Sequence, residues 1–127
     1  MQYNTTSHYS ASPGDFLSIS GYFFSPFAGT PDIFSAGATL IGHSGTASNF
    51  TVACVPNASP ADNIFTIFRN GAPTTLQARV LPGQSYGIDA INTELFTATD
   101  VISIGYDNTN GDMSSRFATA LTFTLDP

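Results

Sequence analysis

Few residues in this 127-residue chain combine the type and the spacing that chemistry requires. Gly83-Gln84-Ser85-Tyr86-Gly87 spells G-x-S-x-G, the pattern that exposes a nucleophilic serine on a sharp strand-to-helix turn. Pro82 precedes it and the β-like Ile88-Asp89-Ala90-Ile91 follows, so the helix is missing and the spelling reads as chance. His8 lies in a polar segment and His43 in a Gly/Ser turn, and a Ser/His/Asp triad is defined by geometry rather than by its ingredients. Glycoside hydrolysis needs two buried acids, and the sole glutamate, Glu94, falls in a short mixed segment. Asp107 to Asp112, "DNTNGD", is the nearest approach to a calcium loop, but Thr109 and Gly111 occupy ligand positions and no glutamate closes it. An Asn/Asp turn explains it better. Cys54 alternates with Phe50 and Val52 and has no basic neighbour in sequence, so it reads as a core thiol. No enzyme activity, metal or cofactor is expected.

The composition narrows the remaining classes. Charged residues make up 9% of the chain, against about 25% in a typical globular domain. There is no lysine, and the arginines are Arg69, Arg79 and Arg116. A net charge of −6 with three scattered arginines excludes a nucleic-acid surface, which needs clustered cations. The longest unbroken apolar run, Val52 to Val55, is far short of the ~20 residues of a membrane-spanning helix. No charged stretch followed by an apolar one opens the chain, so no secretory signal is expected. The sequons at Asn4, Asn49 and Asn57 are then chance triplets in a chain rich in Asn, Ser and Thr. A surface so poor in charge suits a protein whose neighbours cover much of it.

The elements that must position any site read as strands throughout. Residues 1–14 form a polar N-terminal arm or short edge strand ending at Pro13-Gly14, and 15–127 one β domain. Within "DFLSISGYFF", Leu17, Ile19 and Phe23 share a face. Residues 25–38 form a long connection carrying Phe27, Ile33 and Phe34. Phe23, Phe24, Phe27 and Phe34 divide between internal packing and a contact surface for neighbouring proteins. "TLIG" and "SNFTVACV" follow as strands. Ile64 to Phe68 and Leu76 to Val80 then flank Asn70-Gly71, the strongest short hairpin signal. Strands are expected at Ile88–Ile91 and Glu94–Phe96, then over "DVISIGY" with Ile102, Ile104 and Tyr106 on one face. "RFATALTFTL" sets Phe117, Thr119, Leu121, Phe123 and Leu125 against Ala118, Ala120, Thr122 and Thr124. No helical period is sustained, so the fold is all-β, an antiparallel sandwich or barrel.

"FTIFRNG", "TELFTATDVISIGY" and "FATALTFTL", taken in order, resemble the trimeric jelly-roll module of tumour-necrosis-factor-like and complement-globular-head-like domains. The likeness is greatest to the forms in bacteriophage virion proteins and at the tips of bacterial collagen-like surface proteins. It spans roughly residues 38–125, with Thr99-Asp100 where the family has Gly-Asp, and the first 37 residues have no counterpart. The resemblance implies a homotrimer for display, capping or attachment, with Ala118, Ala120, Thr122, Phe123 and Thr124 along the three-fold contact. The expected role is a structural virion protein, a capsid decoration, head-fibre or tail-associated protein on the outer surface of a bacteriophage. Its partners would be its own copies and the capsid or tail proteins. The alternative is a carbohydrate- or receptor-binding module, with host glycan contacts at Tyr86 and Asp89 or at Tyr106, Asp107 and Asn108, or a bacterial surface tip domain.

Overall fold

The computed structural model describes residues 2–10, 22–24, 39–54, 57, 60–107 and 116–127, with side chains over 41–54, 57, 60–105 and 119–127. Its strands are β1 (Gln2–Ser10), β2 (Tyr22–Phe24), β3 (Thr39–Leu40), β4 (Gly45–Cys54) and β5 (Asn63–Arg69). β6 (Ala72–Val80), β7 (Tyr86–Asp89), β8 (Glu94–Phe96), β9 (Val101–Asp107) and β10 (Arg116–Leu125) complete the set, and the described residues hold no helix. Phe16 to Ile19, Phe27, Ile33, Phe34 and the Asn108–Asp112 turn lie outside the described residues.

The β5–β6 hairpin shows why these residues become strands. β5 buries Phe65 and Ile67 while Ile64, Thr66 and Phe68 stay half-buried, and β6 buries Leu76, Ala78 and Val80 between exposed Thr75, Gln77 and Arg79. That is the period-two pattern of a pleated strand with one face in a core. Arg69 pairs with Ala72, leaving Asn70 and Gly71 as a two-residue loop with φ of 53° and 82°. Both values are positive, the condition for a type I′ turn whose twist matches that of the strands it joins. The Asn70 side chain ties this tip to the next element, donating to Asp100 Oδ1 (2.8 Å) and accepting from the Val101 N–H (2.9 Å).

Two antiparallel sheets pack face to face as a β-sandwich. One has the order β1-β10-β4-β7, with β8 also on β4; the other has β2-β9-β5-β6, with β3 also on β9. Phe50, Val52, Leu121 and Phe123 from the first sheet meet Phe65, Ile67, Leu76, Ile102 and Ile104 from the second, all under 3% exposed. Phe96 and Phe123 cross edge to face with centroids 6.1 Å apart. Each fully buried large side chain contributes about 1.5–3 kcal/mol, so this shared layer is what holds the sheets together.

Two strands, β4 and β9, depart from simple alternation. In β4 the buried set runs Gly45, Ala47 and then Phe50, Val52, Cys54, a shift of phase by one residue. The shift falls where Thr51 pairs with Ala120 but Ser48 pairs with Thr122. Asn49, at φ 51°, is the extra residue of this bulge; asparagine tolerates the left-handed region because its short side chain bonds locally. β9 is buried on both faces, and Ser103 Oγ has no hydrogen-bond partner there. At the chain's start, the segment expected as an arm or short edge strand is a nine-residue edge strand, paired with β10 from Gln2↔Thr124 to Ser10↔Arg116.

The strand expected at Ile88–Ile91 is displaced toward the N-terminus. β7 occupies Tyr86–Asp89 rather than Ile88–Ile91. It stops because the Asp89 carboxylate accepts the backbone N–H groups of Ile91 (3.1 Å) and Asn92 (3.0 Å), closing an Asx turn that no strand can continue through.

Candidate assembly face

The outward face of the β1-β10-β4-β7 sheet is assembled by register. Residues directly opposite in an antiparallel pair project to the same face. Ala53 stands opposite Tyr86 and Ala118, Thr51 opposite Ile88 and Ala120, and Thr46 opposite Leu95 and Thr124. Along β1, His8, Thr6, Asn4 and Gln2 continue the same rows in register with Ala118, Ala120, Thr122 and Thr124. These rows contain no Asp, Glu, Lys or Arg; the next pair of the same parity, Ser10 with Arg116, places by register the one charged residue of this face at the end of β10. A solvated sheet face normally carries charge at such positions.

At the β7–β8 border of this sheet the side chains become large and apolar. Tyr86 is 61% exposed, Ile88 51%, Leu95 69% and Ile91, in the turn between the strands, 90%. Four large exposed apolar groups within residues 86–95, beside an acid-free sheet face, are of the kind that marks an interaction site.

The acids of the same two strands alternate away from that face. Asp89 is buried and Glu94 stands opposite the buried Ala47; both reach the neighbouring edge of β6. Asp89 Oδ2 accepts from the Gln77 N–H (3.1 Å) and from Asn92 Nδ2 (2.9 Å). Glu94 Oε1 accepts from the Thr75 N–H (2.8 Å) and hydroxyl (2.7 Å), and Arg69 lies 3.6 Å from its other oxygen. Arg69 also donates to the Leu95 carbonyl and sits 5.7 Å from the centre of the Phe96 ring. Burial pushes the Asp89 carboxyl up, but the bonds from Asn92, Gln77 and Ile91 outweigh it and hold the group below its ordinary value. Glu94 is lowered by the Thr75 N–H first and the Thr75 hydroxyl second, with Arg69 adding to both. In Asp100, the Thr97 N–H and the Asn70 amide lower the carboxyl.

The sequence-predicted residues divide accordingly. Phe123 is corrected: at 1% exposure against Phe96 it belongs to the subunit core, because its parity matches Leu121 and not Thr122. Ala120 is half-buried, Thr122 buried and Thr124 exposed on the outer parity, while Ala118 is placed by register alone. Phe23 and Phe24 lie in β2 opposite Gly105 and Ile104. Tyr86 and Asp89 share a strand but face opposite ways, and all the acceptor positions seen on Asp89 serve its own fold. Tyr106 and Asp107, of the alternative glycan site, lie in the other sheet opposite Phe65 and Ile64, and Asn108 lies outside the described residues. Ser85 leads into strand β7, its carbonyl accepting from the Cys54 N–H (2.8 Å), so it has no elbow geometry. His43 is exposed, with Nδ1 2.7 Å from the Ser44 carbonyl. Burial pushes the Cys54 thiol up to about 12, which leaves it protonated. Among the described residues no group of His, Cys, Asp and Glu could hold a metal ion.

Sequence reasoning missed Ile88, Ile91 and Leu95. The available signal was Tyr-x-Ile alternating with Gly87 and Asp89, but alternation alone does not say which set faces water. Comparison with known protein families finds no model that matches the chain, and comparison with curated proteins finds no match.

Proposed function

We propose that the protein is a structural component of a virus particle, a homotrimeric jelly roll that decorates the outer surface of a bacteriophage capsid or tail. The observation that carries this is the acid-free outer face of the β1-β10-β4-β7 sheet, charged by register only at Arg116 and flanked by exposed Tyr86, Ile88, Ile91 and Leu95. A free monomer would leave that surface wet; packing against further copies removes it from water. The strand order supports the jelly-roll reading. The first and last strands pair, and the chain passes between sheets at nearly every long connection, as two interlocked Greek keys require. The charge-poor composition and the virion-protein resemblance support the setting. Of the two alternative glycan sites, the one at Tyr86 and Asp89 retains exposed Tyr86, because Asp89 is spent on its own turn.

Virus particles made from the genome that encodes this chain provide the test. Mass spectrometry of purified particles should find the protein in copy numbers divisible by three, and immunogold labelling should place it outside. Its absence from purified particles would remove the virion reading.

A further inference from the structure

β6 is the last strand of its sheet, so one row of its N–H groups has no ladder to donate to. Three successive outward positions are nevertheless closed. At Arg79, the backbone of Gly87 approaches so closely that a Cβ there would run into the Arg79 carbonyl. The Gln77 N–H goes to Asp89, and the Thr75 N–H to Glu94. Positions 79, 77 and 75 are thus met in order by 87, 89 and 94, and the same stretch of chain presents Tyr86, Ile88, Ile91 and Leu95 on its other side.

We propose that residues 86–96 form an acid-sensitive latch: while β7 and β8 stay paired to β4, ionised Asp89 and Glu94 close the edge of β6, and their protonation opens that edge and loosens the segment that carries the exposed apolar ridge. A carboxylate accepts from N–H groups in bonds roughly twice as strong as neutral ones. Protonation therefore weakens two adjacent ties at once. The surroundings add no competing switch. Asp89 is met by the uncharged Gln77, Ile91 and Asn92; Glu94 is met by Thr75 and by the Arg69 guanidinium. Arg79, the remaining cation of β6, is engaged 3.0 Å away by Asp62. Both carboxyls lie below their ordinary values of 3.8 and 4.5. The tie is complete above that range and is lost as pH falls through the lowered folded-state values. The consequence for assembly rests on the reading of the ridge as the contact between copies.

The full chain with Asp89→Asn and Glu94→Gln, together, imitates the protonated pair at pH 7. Amide hydrogen exchange at Thr75 and Gln77 should quicken about tenfold, the loss of charge assistance at each bond. The oligomer should dissociate at higher protein concentration than the parent. Asp126→Asn, which neutralises an exposed carboxylate beyond β10 and away from β6, should leave both amides unchanged. Unaltered exchange at residues 75 and 77 would overturn the latch, and faster exchange with parental assembly would overturn its control of the ridge. A parent that is monomeric throughout contradicts the assembly reading, and the exchange comparison still decides the latch. Should the double variant not fold, each single variant is read in the same way.

Discussion

Phe123 shows how much one side chain decides here. Its ring is buried against Phe96 in the layer both sheets share. Phe123→Ala should lower stability by about 3–5 kcal/mol, the range for deleting a buried phenyl ring. Chemical denaturation reads this directly as a lower midpoint at unchanged slope. Thr124 is one residue on, exposed on the other face. Thr124→Ala should stay within about 0.5 kcal/mol in the subunit while weakening association. Equal effects of the two changes on stability would mean that β10 is packed in the other register.

At the scale of elements, the turn between β5 and β6 carries a second test. Gly71 has φ 82°, and Gly71→Ala forces a side chain into the left-handed region at a cost of about 1–2 kcal/mol. Thermal melting should show the loss; a melt unchanged from the parent would mean that the turn is not type I′. A third test concerns the carboxylates that tie turns and edges. Asp89, Glu94 and Asp100 are all lowered, so stability should be highest above pH ~5 and fall as pH drops below ~4. Asp89→Asn with Glu94→Gln should flatten that dependence in melts across pH, and an unchanged pH profile would count against the ties.

The same scale explains what the sequence disclosed. The Asn-Gly hairpin, the closing strand and the buried faces of β4 to β6 were legible because type, turn and alternation agree there. β7 was misplaced by two residues because its terminator is a side-chain carboxylate bonding back to the main chain, which carries no periodicity. The bulge at Asn49 was illegible for the same reason: one left-handed residue resets the phase of β4 without changing its composition. The ridge was missed because its apolar residues point outward, the reverse of the usual assignment of a period-two pattern.

For the whole molecule the central claim is that the acid-free sheet face and the Tyr86–Leu95 ridge are covered by other copies of the chain. Net charge supports it in one respect: the acids that make up the −6 are absent from these rows, so copies can meet there without like charges facing. Light scattering coupled to size separation, run on the parent and on Ile88→Asp at micromolar concentration, tests this most directly. Ile88 is half-exposed, so the substitution leaves the core intact while placing a charge at the centre of the ridge. The account predicts three times the 13.4 kDa subunit mass for the parent, and a folded 13.4 kDa species for Ile88→Asp. A parent that elutes at 13.4 kDa, or a variant that keeps the parental mass, would contradict it.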